Sequence, residues 1–174
     1  MSSFNRIQAV INLDNIRHNV SAMKSLVDEN KKMLAVIKAD AYGHGAVEVG
    51  RALDDMADYY AVAFLDEGIE LRKAGIDKPI LILGYTDPSD YMDLMRWDIR
   101  PAMYDVDEAQ QLSDDAVSMG KRAKIHIKVD TGMGRIGFTC DDAGVNNIEK
   151  IWKMPGIEIE GIFTHYAKAD EYDK

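Results

Sequence analysis

The sequence predicts an incomplete (β/α)8 barrel of about six βα units. Short apolar stretches typical of buried parallel strands alternate with amphipathic helical stretches at intervals of roughly 20 to 30 residues. Polar side chains repeatedly follow the strands, at the end where barrel enzymes place their sites. The chain has 174 residues. Since a complete barrel typically needs about 250, we expect this chain to run about three quarters of the way round one.

The first predicted unit is a short strand followed by a helix. Residues 9–13 form an apolar stretch that predicts the strand. Asp14 is predicted to cap the helix that follows. Apolar residues recur there at helical spacing, at Ile16, Val20, Met23 and Val27.

A continuous apolar run covers residues 33–37 and ends directly at Lys38. Such a run, bounded by turn residues, predicts a strand buried on both faces. The turn residues "YGHG" follow at 42–45, and a helix is predicted over 46–53. Lys38 is therefore expected at the carboxyl tip of a buried strand.

The same alternation continues to the end of the sequence. Strands are predicted at residues 59–64, 79–84, 99–104, 124–130 and 157–167. The helices between them are predicted at residues 67–75, 87–97, 106–120 and 141–154. A doubly wound open sheet would fit this alternation too, but it usually carries a GxGxxG phosphate turn after its first strand. The turn "YGHG" is not of that kind, which favours the barrel.

Composition excludes several classes of protein. The apolar fraction is 47%, the charged fraction 29% and the net charge −9, which is ordinary for a globular chain and argues against a nucleic-acid surface. Cys140 is the single cysteine, so no intrachain disulfide can form, and no Cys/His cluster predicts a metal site. No leader and no membrane-length apolar stretch is recognised. We expect a cytoplasmic protein with a small-molecule partner.

The position of Lys38 predicts chemistry. A charge that follows five apolar residues must either extend to solvent or lie in a site, and carboxyl strand ends are where barrel sites lie. A partly desolvated lysine has a lowered pKa, and its neutral amine can attack an aldehyde. The alternative is an ordinary solvated lysine.

The strand predicted at residues 124–130 has polar residues on its inner face. Its two-residue period places Ile125, Ile127 and Val129 on one face and His126, Lys128 and Asp130 on the other. Inward polar residues are costly unless they pair or form a site. The alternatives are a reversed register or an exposed edge strand.

A glycine-rich loop, "TGMGRIGF", follows that strand. Its glycines allow a close approach to a ligand, and Arg135 brings a permanent positive charge. His165 lies at the C-terminal tip of the last predicted strand, at the same end as Lys38 and Arg135. These residues are candidates for one site.

At these residues the sequence resembles a known family. "AVIKADAYGHG" resembles the cofactor-attachment signature of the alanine racemases, and "DEGIELRKAGI", "IKVDTGMGRIGF" and "IEIEGIFTHYAKADE" follow in that family's order. The family consists of bacterial pyridoxal 5'-phosphate enzymes with an N-terminal (β/α)8 barrel and a C-terminal β-domain. The resemblance covers essentially the whole chain and implies that residues 1–174 are the N-terminal part of such a barrel domain.

The resemblance also implies a role for individual residues. Lys38 would hold the cofactor as an aldimine and act as the base on the D-alanine side. Tyr42 would contact the cofactor phosphate, where the alternative is a buried aromatic at a helix start. Arg135 would contact the cofactor's phenolic oxygen and the substrate carboxylate, and His165 would lie beside the ring. Lys128 matches a position that is carbamylated in many members; the alternative is a plain lysine.

Three other reactive side chains receive no chemical role. His44 lies inside the signature but is not assigned one, and His18 and Cys140 are interpreted as structural. No metal is expected.

The resemblance implies a function that needs more than this chain. Alanine racemases are cytoplasmic homodimers that interconvert L- and D-alanine and so supply D-alanine for peptidoglycan. The last barrel strands, the arginine at the pyridine nitrogen and the C-terminal domain with its tyrosine base lie outside this sequence. We therefore expect the isolated chain to be inactive and, with two open sheet edges, to aggregate or self-associate.

Three alternative functions remain open. A serine or broad-specificity amino-acid racemase would share these motifs. A non-enzymatic pyridoxal-phosphate binding protein would also use a barrel lysine. A fragment that binds no cofactor could act as an interaction domain.

Overall fold

The computed structural model describes residues 7–171 and contains one six-stranded parallel sheet. The strands lie in sequence order, so each new strand pairs with the one before it. This order is that of a βα barrel rather than a doubly wound sheet, in which the strand order reverses. The predicted incomplete barrel is confirmed. The strands are β1 (Leu34–Val36), β2 (Tyr59–Val62), β3 (Ile80–Ile82), β4 (Ile99–Met103), β5 (Ala123–Lys128) and β6 (Ile157–Phe163).

Helices connect the strands, and those predicted from the sequence are present. Their bounds are α1 (Leu13–Lys24), α2 (Lys38–Gly43), α3 (Ala46–Ala52), α4 (Leu65–Lys73), α5 (Tyr91–Arg96), α6 (Val106–Ser118) and α7 (Asp142–Trp152). A short 3-10 turn, Pro88–Asp90, precedes α5. Within the described residues, no helix combines the length and the apolar character needed to cross a membrane.

The main core lies between the sheet and the helices. Ile80 and Ile82 of β3 and Ile125 and Ile127 of β5 are almost fully buried. Leu112 of α6 is equally inaccessible and belongs to the same cluster. Alternate residues of each strand thus pack against the helices, which leaves the others for the barrel interior.

The strand predicted at residues 9–13 is wrong. Residues 8–12 have no regular structure, and α1 begins at Leu13. The helix is capped by Asn12, whose side chain accepts a hydrogen bond from the Asn15 amide at 3.1 Å. Asp14 lies in the first helical turn, so it does not act as the cap. An alternating apolar pattern forms a strand only where another strand is available for pairing, and none is paired here.

The prediction that the apolar run 33–37 is buried on both faces is also wrong. Leu34 and Val36 are 37% and 39% exposed, whereas Ile37 is 3% exposed. β1 is an edge strand that pairs only with β2 among the described residues. Within residues 7–171, Leu34 and Val36 therefore lack a neighbouring strand beyond the edge to cover them. The composition of residues 33–37 alone cannot show this.

The sheet curls so strongly that distant strands touch across its concave face. The Tyr59 hydroxyl on β2 donates to Glu160 Oε2 on β6 at 2.8 Å, although three strands lie between them in the sheet. A bulge in β6 brings Glu160 into this position, because Ile159 pairs with Ile125 while Gly161 pairs with His126. The bulge increases the local twist and re-aims the carboxylate.

Candidate active site at the carboxyl ends of the strands

The predicted site residues lie at one edge of the sheet. Because all six strands are parallel, their carboxyl ends share that edge. Lys38 follows β1, Lys128 ends β5, Arg135 lies in the loop after β5, and His165 follows β6. The curl of the sheet brings β2 within hydrogen-bonding distance of β6, and the carboxyl ends of all six strands lie at the same edge.

Lys38 opens a turn of unusual handedness. The next four residues, Ala39 to Tyr42, have φ between 51° and 56° and ψ between 38° and 50°, which is a left-handed helical turn. For residues with a Cβ this conformation costs roughly 1–2 kcal/mol each, so a run of four is rare. Backbone strain of this kind persists only where the surroundings over-determine it, and it clusters at functional sites.

Asp40 and His44 stabilise the turn. The Asp40 carbonyl accepts from the Gly45 amide at 2.9 Å, and its carboxylate accepts from the Ala46 amide at 2.7 Å, at the start of α3. His44 Nδ1 lies 2.9 Å from the Ala41 carbonyl oxygen. His44 therefore has a structural role in the turn.

The two candidate cofactor contacts on this turn are at least partly exposed. Lys38 is half-buried, and among the described residues its amine forms no hydrogen bond or salt bridge. Tyr42 is 61% exposed. The alternative for Tyr42, a buried aromatic at a helix start, is wrong. Both side chains are free to meet a ligand.

Lys128 is held in the opposite way, by burial. It is 4% exposed, its Nζ donates to the Val129 carbonyl at 2.7 Å, and it lies 5.6 Å from the centre of the Phe163 ring. Burial lowers the pKa of Lys128; the charge of Arg135 acts in the same direction and the charge of Asp130 opposes it. The prediction that Lys128 faces inward is confirmed. It forms no direct bond with Arg135 in the described structure.

Asp130 organises the glycine loop that carries Arg135. Its carboxylate accepts from the Gly132 amide at 3.0 Å and from the Gly134 amide at 2.9 Å, and these bonds lower the pKa of Asp130. Gly137 has φ 131°, and a Cβ there would lie 2.5 Å from the Asp130 nitrogen. The loop thus folds back on the end of β5, and Arg135 is exposed on it.

The remaining reactive residues predicted from the sequence are exposed. His165 lies just beyond β6, and its side chain forms no hydrogen bond within residues 7–171. Cys140 is a free exposed thiol whose sulfur contacts the Asp130 carbonyl oxygen at 3.4 Å. His18 is exposed on α1.

A carboxylate cluster deeper in the barrel was not predicted from the sequence. Glu160 accepts from Arg100 Nε at 3.0 Å and from the Tyr59 hydroxyl at 2.8 Å, and it lies 3.4 Å from His126 Nε2. Partial burial opposes ionisation of Glu160, but the bonds from Arg100 and Tyr59 outweigh it and lower the pKa to about 2. Arg100 also pairs with Asp98 at 2.8 Å and is buried.

One signal could have revealed this cluster. Arg100 stands at the second position of a strand that is otherwise apolar, and Glu160 alternates with isoleucines in β6. Buried charges require partners. An arginine and a glutamate that both face the barrel interior are therefore expected to form an ion pair. His126, which the sequence placed on the inner face, lies 3.4 Å from Glu160 Oε2.

Comparison with known proteins identifies the family. A family model described as "Alanine racemase, N-terminal domain" matches residues 11–174. The chain belongs to this family. The match to an N-terminal domain of this family agrees with the barrel fold described above.

Individual relatives support the same assignment. The chain is 46% identical over 169 residues to a protein of Desulforamulus reducens named alanine racemase, covering 97% of this chain and 46% of that protein. It superimposes with a TM-score of 0.90 on an alanine racemase from Clostridium difficile 630, at 46% identity, covering 95% of this chain and 45% of that one. A histidine racemase from Leuconostoc mesenteroides gives a TM-score of 0.84 at 28% identity, covering 91% of this chain and 42% of that one. The chain thus spans about half the length of these relatives.

Proposed function

We propose that this chain is the cofactor-holding part of a pyridoxal-phosphate-dependent alanine racemase, an isomerase that interconverts L- and D-alanine. The observation that carries the proposal is the placement of Lys38. Its amine has no protein partner among the described residues, and it lies at the carboxyl end of a barrel strand on a strained left-handed turn. A structural lysine has no need of such a turn.

The residues present fit the chemical groups of pyridoxal phosphate. The unpartnered amine of Lys38 suits its aldehyde, and the exposed hydroxyl of Tyr42 suits a phosphate oxygen. Arg135, on a loop of open glycines, suits an anionic oxygen or a carboxylate. His165 is proposed to lie beside the ring.

Pyridoxal phosphate supplies an electron sink that makes the α-proton of a bound amino acid acidic. Lys38 would take or return that proton on the D-alanine side, because its amine lies at the carboxyl end of β1 with no protein partner among the described residues. Arg135 holds the substrate carboxylate and so orients the α-carbon towards Lys38. Lys128, if carbamylated, presents a negative charge that holds Arg135 in place; burial of its amine favours the neutral form that reacts with carbon dioxide.

The proposed activity requires elements outside residues 1–174. Racemisation needs a second base on the opposite face of the substrate, and the family resemblance assigns it to a tyrosine of a C-terminal domain donated across a homodimer. We therefore propose that residues 1–174, the N-terminal part of the barrel domain, show no turnover alone. The complete protein is proposed to act in the cytoplasm and to supply D-alanine for peptidoglycan.

The test of this function is chemical trapping at Lys38. In protein expressed from its complete gene, borohydride reduction with pyridoxal phosphate should place the label on the Lys38 peptide, as read by mass spectrometry. Lys38→Ala should remove the label and the alanine racemisation activity. Lys73→Ala, which alters an exposed lysine at the end of α4, should change neither. A label found chiefly on another lysine contradicts the proposal.

The structural likeness to a histidine racemase favours a second candidate, a racemase of another amino acid. A panel of alanine, serine and histidine enantiomers separates these substrates. A non-enzymatic pyridoxal-phosphate binding protein would retain the Lys38 label but racemise none of them.

A further inference from the structure

Glu67 joins the lysine turn to the neighbouring strand. It lies in the first turn of α4, and its Oε1 accepts from the Ala39 amide at 2.8 Å. Its Oε2 accepts from the Ala63 amide, which follows β2, at 2.6 Å. One carboxylate therefore spans the carboxyl ends of β1 and β2, and one of its two bonds is made to the residue directly after Lys38.

The Ala39 amide has no acceptor in the β1–β2 hydrogen-bond ladder because the sheet ends just before it. The hydrogen bonds between β1 and β2 continue as far as the Ile37 amide, which donates to the Ala61 carbonyl at 2.9 Å. A continuing parallel strand would direct the Ala39 amide to the next carbonyl of β2. The chain instead turns into the left-handed region at Ala39, with φ 51°, and Glu67 replaces the lost partner.

The same bond fixes the direction in which the chain leaves the sheet. A left-handed conformation at a residue with a Cβ relaxes unless its neighbours hold it. Asp40 and His44 fix the far end of the turn, through the amides of Gly45 and Ala46 and the carbonyl of Ala41. Among the described contacts, Glu67 makes the one side-chain bond at the near end, where Lys38 is attached.

We propose that Glu67 is a positioning residue for Lys38, which holds the start of the left-handed turn so that the lysine amine faces the cofactor space. This inference rests on the proposed function. It assigns a role to the "DEGIELR" segment, of which Glu67 is the second residue. Glu67 itself touches neither substrate nor reacting atoms and acts through the Ala39 backbone.

The test compares matched substitutions on α4 in protein expressed from its complete gene. Glu67→Gln keeps the size of the side chain but offers one oxygen instead of two, so one amide loses its acceptor. Glu67→Ala removes both bonds. Glu70→Gln makes the same chemical change at an exposed position of the same helix and is the control.

The readout is the rate at which borohydride traps pyridoxal phosphate on Lys38, divided by the rate on exposed Lys73 in the same sample. We expect a ratio roughly 10-fold lower for Glu67→Gln, equivalent to about 1.4 kcal/mol, a further loss for Glu67→Ala, and no change for Glu70→Gln. Hydrogen exchange of residues 38–45 should accelerate in both Glu67 variants without added cofactor. If a Glu67 substitution only lowered the stability of the fold, the ratio of the Lys38 and Lys73 trapping rates in the folded fraction would stay the same.

The outcomes separate this inference from the proposed function. If the unaltered protein gives no Lys38 label, the function fails, while faster exchange in the Glu67 variants would still support the structural role. If the unaltered protein is labelled at Lys38 and the Glu67 variants keep its ratio in their folded fraction, the positioning role is overturned. Should Glu67→Ala fail to fold, Glu67→Gln decides by the same ratio.

Discussion

Lys38 and Lys128 lie at the carboxyl ends of β1 and β5, and the protein holds them by different means. Lys38 is placed by its backbone, through a left-handed turn whose amides and carbonyls are bonded to Glu67, Asp40 and His44. Lys128 is placed by its side chain, on a regular strand, with its amine buried between the Val129 carbonyl and the Phe163 ring.

The difference shows how much freedom each amine has. A lysine fixed through its backbone keeps a mobile side chain, which suits an amine that must bind and release a ligand. A lysine fixed by burial keeps one environment, which suits a charge or a carbamate that orients its neighbours. The substitutions below test whether the β5–β6 side depends on buried charge and the β1 side on backbone bonds.

The largest expected effect lies on the β5–β6 side, at Glu160. Glu160→Ala leaves buried Arg100 without its main acceptor and the Tyr59 hydroxyl without a partner. Breaking a buried ion pair in this way costs about 3–5 kcal/mol of unfolding free energy. Chemical denaturation should show this loss, whereas Glu158→Ala on the same strand should cost little, because Glu158 forms no side-chain bond in the described structure. Equal effects at both positions would mean that the cluster contributes no more than a surface network.

Acid should remove the contribution of the same carboxylate. The pKa of Glu160 is lowered from 4.5 to about 2, so its stabilisation is fully present above pH 4.5 and is lost as the pH falls towards 2. Burial lowers the pKa of His126, and protonation of this histidine below pH 6.5 destabilises the fold in the same direction.

The measurement is the difference in unfolding free energy between the unaltered protein and Glu160→Gln across pH. We expect the difference to be constant near neutrality and to shrink by up to about 3 kcal/mol in acid. A difference that does not depend on pH would show that Glu160 stabilises the barrel through packing rather than charge.

Lys128 should show a smaller effect on stability and of the opposite sign. Because burial lowers the pKa of Lys128, the charged amine is unfavourable in the folded state, and stability rises as the pH increases towards 10.5. Lys128→Met keeps the length of the side chain without the charge, so it should leave stability unchanged or raise it by about 1 kcal/mol.

The substitution of Lys128 should affect substrate binding differently from stability. In the proposed racemase, expressed from its complete gene, Lys128→Met should raise KM for alanine, and a small carboxylate such as acetate should partly restore it if the lysine is carbamylated. An unmodified Lys128 mass in fully active protein would rule out the carbamate. A sharp loss of stability in Lys128→Met would instead indicate that the Lys128 amine has a stabilising buried partner.

The sequence predicted the β5 side of this comparison better than the β1 side. The two-residue alternation from Ile125 to Asp130 placed His126 and Lys128 correctly, because side-chain direction in a strand follows from position alone. The Glu160 cluster was missed since its hydrogen bond to Tyr59 joins residues 101 positions apart, and the bulge that aims Glu160 has no local signature.

On the β1 side, Lys38 was located but its turn was not. A helix start or a loop is the ordinary expectation for "KADAY", because alanine favours right-handed helix and no glycine occurs before Gly43. The Ala39 amide, at the start of the left-handed turn, bonds to Glu67, which lies 28 residues away, and local sequence patterns cannot include such a partner. The exposed faces of Leu34 and Val36 were missed for the same reason, since burial depends on neighbours beyond the run itself.

A small predicted effect tests the backbone bonds on the β1 side, at Asp40. Its carboxylate accepts from the Ala46 amide at 2.7 Å, at the start of α3, while its own φ is 55°. Asp40→Ala removes this acceptor and should cost about 1 kcal/mol, as for other lost helix caps. Asp40→Asn should stay close to the unaltered protein, because an amide oxygen can accept the same bond and asparagine tolerates the left-handed region.

The matched control is Asp14→Ala, at the aspartate that the sequence pattern predicts as the cap of α1. Its side chain forms no hydrogen bond in the described structure, where Asn12 caps the helix, so thermal unfolding should change less than for Asp40→Ala. If Asp40→Asn is as damaging as Asp40→Ala, the charge of Asp40 matters more than its hydrogen bond. The turn that carries Lys38 would then depend on electrostatics, as the β5–β6 side does, and the contrast between the two lysines would narrow.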